Sequence, residues 1–487
     1  MALTGEQVAS SSSGAPAPGA PDAERYPPSV PAEPADDVGA PFAGWIAEVT
    51  GAADVQLQRR SGGASRAGYA VTLRMPDGTD RELWLRCDTG AGPQSNGPYT
   101  LRREAAVYRQ VRAHGVRVAE VVAVHPTEEA FLMERLHGRN WFSELTDAAD
   151  RQALAEEFVT ELAAVHRLDP TAMDLPELGP VADVRTHVLE ELAIWDRQFR
   201  AHPEPEPVIE LALAWLRRNL PEPGGEPPVL VHGDTGPGNF MYDGGRLVAI
   251  TDWELAHWGD RHDDLGWLYV HDLQERLPDL VAHLRTYEEA RGLPIDPTRL
   301  RYHLVLAQAR CAIGTRAGLL ARDSRGEIGA HLVYTTLHTR ALADAMGRAL
   351  GLEEGPTAPM PDPGTSARGW MYDVVLDDLR TRVVPALDDD FAARRAKGAA
   401  RLVKYLREED RMGSVLDASE AEDLATLLGQ PVTDTSAARG LLCEQIRAGQ
   451  VDEASVARYC ARSWDRRAQV VGPSMGSLAD RRLAPLP

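Results

Sequence analysis

The apolar positions of this chain change their period along its length. Residues 55–59 and 69–73 alternate apolar and polar side chains, the pattern of half-buried strands, and residues 82–86 (Glu-Leu-Trp-Leu-Arg) repeat it. Residues 101–114 place Leu101, Ala105, Tyr108 and Val111 on one helical face. The runs at 116–124 and 130–133 then complete a sheet-rich first section, against which Phe42, Trp45, Ile46 and Val49 predict a short docked helix. From Trp141 the period is helical. Phe158, Leu162, Val165 and Leu168 form one stripe, and residues 188–199, 208–220, 280–291, 300–319 and 328–350 predict further helices. Two short apolar runs interrupt this helical stretch, Val229-Leu230-Val231 and Leu247-Val248-Ala249-Ile250, each ending in polar residues. They predict two strands paired as a hairpin, with the polar ends brought together at one edge.

Breaks in the pattern divide the chain. Residues 1–38, rich in Ala, Pro, Ser and Gly, have no period and predict a disordered tail. A sheet-rich lobe at 39–138 and a helical lobe at 139–352 follow. Residues 353–368, with the run GPTAPMPDPGTS, predict a linker, and 369–487 an all-helical unit. In that unit Val375, Leu379 and Val383 predict one helix, and Ala399, Leu402, Val403 and Leu406 the next. Ala421, Leu424, Leu427 and Leu428 predict a third, and Leu442, Ile446, Val456 and Tyr459 a last pair.

At 487 residues the chain is long enough for several cores. A formal net charge of −21 argues against a nucleic-acid binder. The four cysteines show no metal-site or disulfide spacing, and nothing resembles a signal peptide or a membrane span. A cytoplasmic protein with no membrane or nucleic-acid partner is the expectation.

The candidate chemistry lies in VLVHGDTGPGNFMYDGGRLVAITDWE, residues 229–254. Phosphoryl transfer must hold a densely charged phosphate and its metal ions in line with an attacking oxygen. Asp234 is placed to accept the proton of a substrate hydroxyl. Asn239 and Asp252 offer oxygens to Mg²⁺, a hard cation. The loop Thr235-Gly236-Pro237-Gly238 turns tightly between them. Upstream, Ser61, Gly62, Gly63 and Ser65 sit between two predicted strands, where backbone N–H groups can approach the phosphates of ATP.

HGDxxxxN followed by a strand ending in DWE resembles the aminoglycoside phosphotransferase-like branch of the protein-kinase fold, over about residues 39 to 350. The resemblance implies an α+β, bilobal protein-kinase-like fold with a β-rich N-lobe and a helical C-lobe, here followed by an all-α C-terminal domain. Its motif falls on His232, Asp234, Asn239, Asp252 and Glu254, with His232 and Asp234 on the catalytic side and Glu254 beside the metal. It implies that Arg86 contacts the ATP phosphates, that Glu104 ion-pairs with Arg86, and that Met133 and Leu136 lie at the level of the adenine.

The Leu85-Arg86 strand end, the helix around Trp195–Phe199 and the DWELA run resemble the subgroup associated with acyl-CoA dehydrogenases. The third unit is similar to a small uncharacterised helical family found beside such phosphotransferases. The implied acceptor is a small-molecule hydroxyl, that of a hydroxyacyl-CoA. Arg394, Lys397, Arg401 and Lys404 form a basic stripe suited either to CoA phosphates or simply to solvent. An antibiotic acceptor stays open, since Asp260, Asp263, Asp264 and Asp272 suit a polycationic aminoglycoside. So do an inactive nucleotide-binding scaffold and a homodimer.

Overall fold

A computed structural model describes residues 40–60, 66–88, 97–222, 226–322, 327–353, 360 and 363–486. The helix α1 (Ala43–Thr50) leads into three antiparallel strands, β1 (Asp54–Arg60), β2 (Arg66–Arg74) and β3 (Asp80–Asp88). After α2 (Leu101–Ala113) the chain adds β4 (Val121–Val124) and β5 (Ala130–Glu134), giving a five-stranded sheet in the order β1-β2-β3-β5-β4. The period of two sends alternate side chains to opposite faces. Val71, Leu73, Leu83, Leu85 and Leu132 pack in a small outer core with Ile46 of α1, while Phe131 and Met133 join the main core with Tyr108 and Val111 of α2.

The second lobe begins with α3 (Ala148–Val165), α4 (Val184–Arg200) and α5 (Pro207–Arg218). Four short strands follow: β6 (Val229–Val231), β7 (Phe240–Asp243), β8 (Arg246–Ile250) and β9 (His257–Gly259). Here the expected hairpin is corrected. β8 pairs with β7, across the two-residue turn Gly244-Gly245, and β6 pairs instead with β9. The glycines have φ +52° and +75°, values a tight hairpin turn requires, so the strand adjoining them in sequence takes the pairing. The predicted strand at 116–124 likewise narrows to β4.

Helices α6 (Arg261–Gln274), α7 (Leu280–Arg291), α8 (Pro297–Leu320) and α9 (Ile328–Ala349) complete this lobe. Beyond it come α10 (Gly369–Asp378), α11 (Asp390–Leu428), α12 (Thr435–Arg447) and α13 (Glu453–Met475). The two helices expected within 399–428 are one 39-residue helix, because nothing between them breaks it; the single Gly413 costs only about 1 kcal/mol in a helix interior.

The main core runs without interruption from Tyr99 to Leu483, so the C-terminal helices and the helical lobe share one interior. Polar contacts seal the join: Trp464 Nε1 donates to Glu206 Oε1 at 3.1 Å, and Arg447 pairs with Glu210 at 2.7 Å. The final segment is held by its backbone, with Arg340 donating to the carbonyls of Ala479 and Arg481 at 2.9 and 2.7 Å. Among the described residues no helix is long and apolar enough to cross a membrane.

Candidate active site

The loop after β6 begins with a backbone constraint. Gly233 has φ +86°, and a Cβ there would run into the Leu255 carbonyl, so the chain can turn away from the strand only with glycine. The turn delivers Asp234 to the cleft with its side chain 27% exposed. Both carboxylate oxygens are engaged. Asn239 Nδ2 donates to Oδ2 at 2.6 Å and to the Asp234 carbonyl at 2.7 Å, and His271 Nε2 lies 2.8 Å from Oδ1. His271 Nδ1 faces the Pro237 carbonyl at 3.0 Å, so the ring is held between two oxygen partners. Burial pushes the Asp234 carboxyl up, but His271 and the neighbouring hydrogen bonds outweigh it and hold the group below the usual carboxylate range.

β8 ends at the second carboxylate. Asp252 adopts the left-handed conformation (φ 65°, ψ 59°), its N–H donating to the Tyr108 hydroxyl at 3.0 Å, and its side chain is 29% exposed. The Asn239 carbonyl accepts from Thr251 N–H at 2.9 Å, which ties the two chemistry-bearing segments together. Asp252 Oδ1 lies 3.0 Å from Arg86 Nη2, and the same guanidinium nitrogen is 3.4 Å from Glu104 and 3.6 Å from Glu254. Burial alone would lower the Arg86 pKa; these three carboxylates raise it well above its ordinary value instead. Glu104, wholly buried on α2, is pushed up to about 8 by that burial, against the pull of Arg86. Arg66 lies 3.8 Å from Glu254 as well, so Asp252 and Glu254 face two arginines, and the oxygens of Asp252, 29% exposed, are the ones a divalent cation could reach. Among the described residues no three His, Cys, Asp or Glu side chains form a metal-binding group, so an ion here would need other oxygens as well, as Mg²⁺ in phosphate sites commonly does.

The other expected positions fall as follows. His232 turns inward: its Nδ1 accepts from Asp234 N–H at 3.2 Å and its Nε2 faces the Thr251 carbonyl at 2.8 Å, so it braces the loop and does not reach the cleft. Met133 is buried opposite Trp84 of β3, and Leu136 is half-buried where the chain leaves the sheet. Ser61, Gly62, Gly63 and Ser65 lie outside the described residues.

Two residues at the heart of the site have roles that the sequence reading did not give them: Asp264, read there as a carboxylate for a polycationic acceptor, and His271, not singled out at all. Asp264, fully buried, accepts from His232 N–H at 2.8 Å, Gly233 N–H at 2.9 Å and the Thr235 hydroxyl, and pairs with His166 at 2.9 Å. His166 in turn contacts the Tyr287 hydroxyl at 2.7 Å. Asp264 thus fixes the shape of the loop at 232–235 from behind, and His271 braces it from the side. They stand two helical turns apart on α6, so one face carries both, a spacing legible in the sequence. Gly236 lets His271 approach: a Cβ there would overlap the imidazole ring.

The profile of the phosphotransferase enzyme family matches residues 56–303, just over half of the chain. The chain belongs to that family. Among curated relatives, this member of the family is 27% identical over 173 residues to acyl-CoA dehydrogenase family member 11 of Rattus norvegicus. The match covers 34% of the present chain and 22% of the rat protein, so the chain spans about a fifth of that relative. A Ralstonia eutropha protein, solved as a candidate aminoglycoside phosphotransferase, is 20% identical, with a TM-score of 0.48 over 62% of this chain and 94% of its own. The aminoglycoside phosphotransferase APH(4)-Ia, solved with ADP and hygromycin B, is 19% identical, with a TM-score of 0.42 over 56% of this chain and 90% of its own.

Proposed function

We propose that this phosphotransferase moves the γ-phosphoryl group of ATP, with Mg²⁺, onto a hydroxyl of a small molecule, and that the acceptor is a hydroxyacyl-CoA. The observation that carries the reading is the meeting of Asp234, Asn239, Asp252 and Arg86 at one partly open corner. Asp234 orients the acceptor hydroxyl and takes its proton as the new P–O bond forms and the bond to ADP breaks. Asn239 fixes the Asp234 carboxylate through its amide nitrogen, which leaves its side-chain oxygen for metal. Asn239 and Asp252 would hold Mg²⁺, whose charge, when bound, offsets that of the phosphates. Arg86, set by Glu104, holds the phosphates. Glu254 keeps Arg86 in place from the other side and is a poorer metal ligand than the sequence motif implied, because two arginines already claim it.

The four carboxylates that suited a polycationic acceptor are already taken. Asp260, Asp263, Asp264 and Asp272 are at most 4% exposed, and each is already paired, with Arg299, Arg310, His166 and Arg276 respectively. They are not free to bind a polycation. The stretch matching the rat acyl-CoA dehydrogenase family member supports a CoA ester in its place.

ATP consumption with Mg²⁺ against 3-, 4- and 5-hydroxyacyl-CoAs and aminoglycosides, with the acceptor weighed by mass spectrometry, tests both levels. The expected result is one phosphate gained on an acyl-CoA and none in Asp234→Ala. Phosphate on aminoglycosides alone would overturn the acceptor. ATP binding without any transfer would overturn the enzyme and leave a nucleotide-binding scaffold.

A further inference from the structure

The clearest unexplained feature lies far from this chemistry in sequence. After the helical lobe, α10, the π-helical turn Leu379–Val383 and the short turn Val384–Ala386 form one limb of an arm whose other limb is the first half of α11. Arg368 pairs with Asp410, and Asp373 with Arg407, each at 2.9 Å, so the limbs run antiparallel. No residue from 369 to 387 is buried. Yet the limb is rich in apolar side chains. Trp370 is 62% exposed, and Met371, Val374, Val375 and Val383 are similarly open, with Leu406 of α11 beside them. Six of the nine exposed large hydrophobic residues among those described sit on this arm, while the remaining three are scattered. Tyr372, Leu376 and Leu379, half-buried, make the other face of the same limb apolar as well. A helix apolar on both faces belongs in an interior. Contiguous apolar surface beyond a few hundred Å² marks an association site, and six large side chains about half exposed reach that size.

The charges on the limb identify what covers it. Asp373, Asp377 and Asp378 lie toward its start, and Arg380 and Arg382 toward its end. An antiparallel, two-fold pairing of two such limbs lays the acidic half of each on the basic half of the other, and opposes their helix dipoles. A parallel pairing would set like charges together. The present pairs within the limb, Asp377 with Arg380 at 2.8 Å and Asp378 with Arg382 at 2.6 Å, are solvent-exposed and weak, so exchanging them across an interface costs little. We propose that the arm is a homodimerisation element: two copies of this chain pack their arms antiparallel into a four-helix bundle, burying the face from Trp370 to Val383.

Sedimentation of the full chain over a range of concentrations reads the state directly, and a dimer is expected. Val374→Asp alters only an exposed position of the lone chain, so it should raise the dissociation constant at least tenfold while leaving the far-UV spectrum and ATP binding unchanged. Charge makes the sharper test. Arg380→Glu with Arg382→Glu makes the limb wholly acidic, and Asp377→Lys with Asp378→Lys makes its second half wholly basic. Each variant should be monomeric alone, and an equimolar mixture should form the heterodimer. A wild-type protein that is monomeric throughout, a dimer indifferent to Val374→Asp, or a mixture that stays monomeric would each overturn the proposal. Uptake of a different protein by a monomeric chain would do so too. None of these readouts depends on the acceptor.

Discussion

Two groups of aspartates lie close together in this sequence and do opposite work. Asp234 and Asp252 sit at strand ends with 27% and 29% of their side chains open to the cleft. Asp260, Asp263, Asp264 and Asp272, on α6 or just before it, are at most 4% exposed and enclosed by arginine and histidine. Burial pushes each of Asp260, Asp263 and Asp264 up, yet all three end below the ordinary carboxylate range, because His303 and His262, Arg310 and His257, and His166 respectively overcome it. Asp272 stays raised by burial, its Arg276 partner being the weaker influence. Proximity to a site therefore does not make a carboxylate available to a substrate; exposure to the cleft does.

Swapping the insults between the groups should separate stability from turnover. Asp264→Ala removes the acceptor of two backbone N–H groups, a hydroxyl and a buried histidine at once. Leaving such partners unpaired costs about 3–5 kcal/mol, visible as a large drop in the denaturation midpoint. Asp234→Ala should do the reverse: a fall in kcat of roughly 10²–10⁴-fold with the midpoint nearly unchanged. If Asp234→Ala unfolds the chain while Asp264→Ala spares it, the division between the two groups fails.

His271 stands between them, on the helix of the buried group but touching the open one. His271→Gln can keep a donor toward Asp234 in a less fixed geometry. A hydrogen bond to a charged group contributes about 1.5–3 kcal/mol, so weakening it should lower kcat about tenfold and leave KM for ATP in place. His271→Ala should be worse. A matching change in KM would mean that the ring only supports the fold around the nucleotide.

Much of this was legible before any coordinates. Alternation predicts the first three strands of the sheet, and the apolar stripes most helices, because those patterns follow from periods of two and 3.6. The spacing from Asp234 to Asn239 foretold their contact, since a tight glycine-proline loop allows few other arrangements. What stayed hidden was pairing. Nothing in Val229-Leu230-Val231 says that its partner is His257–Gly259 and not the longer β8. Nor does an aspartate's identity say whether an arginine from another helix, as Arg310 is for Asp263, already occupies it. These facts depend on tertiary neighbours, which no local window contains. The apolar stripes at 399–406 and 421–428 predict two helices where the chain forms the single 39-residue α11, because the residues between them are mostly polar and carry no such stripe.

The smallest expected effect is one of pH, and it probes the depth of the open group's surroundings. His338 on α9 is fully buried, its ring nitrogens facing Gln274 at 3.2 Å and Gln308 at 3.4 Å, neutral groups that do not favour a charged ring. Burial first, and then the nearby His271, hold its pKa down to about 3, with Asp234 pulling weakly the other way. Unfolded, it titrates near 6.5. Between about 3 and 6.5 the unfolded chain therefore binds the extra proton, and stability present above that window is lost as pH falls through it, by at most ~1.4 kcal/mol per pH unit. His262, His283 and His331 are lowered in the same direction, so His338→Gln should remove only a share of the acid slope measured in urea between pH 6.5 and 4.5. Asp260, Asp263 and Asp264 contribute only once pH falls below the ordinary range of an aspartate, which keeps the two groups apart on the pH axis as well. A variant with the full wild-type slope would mean that the ring near Asp234 and His271 already meets water.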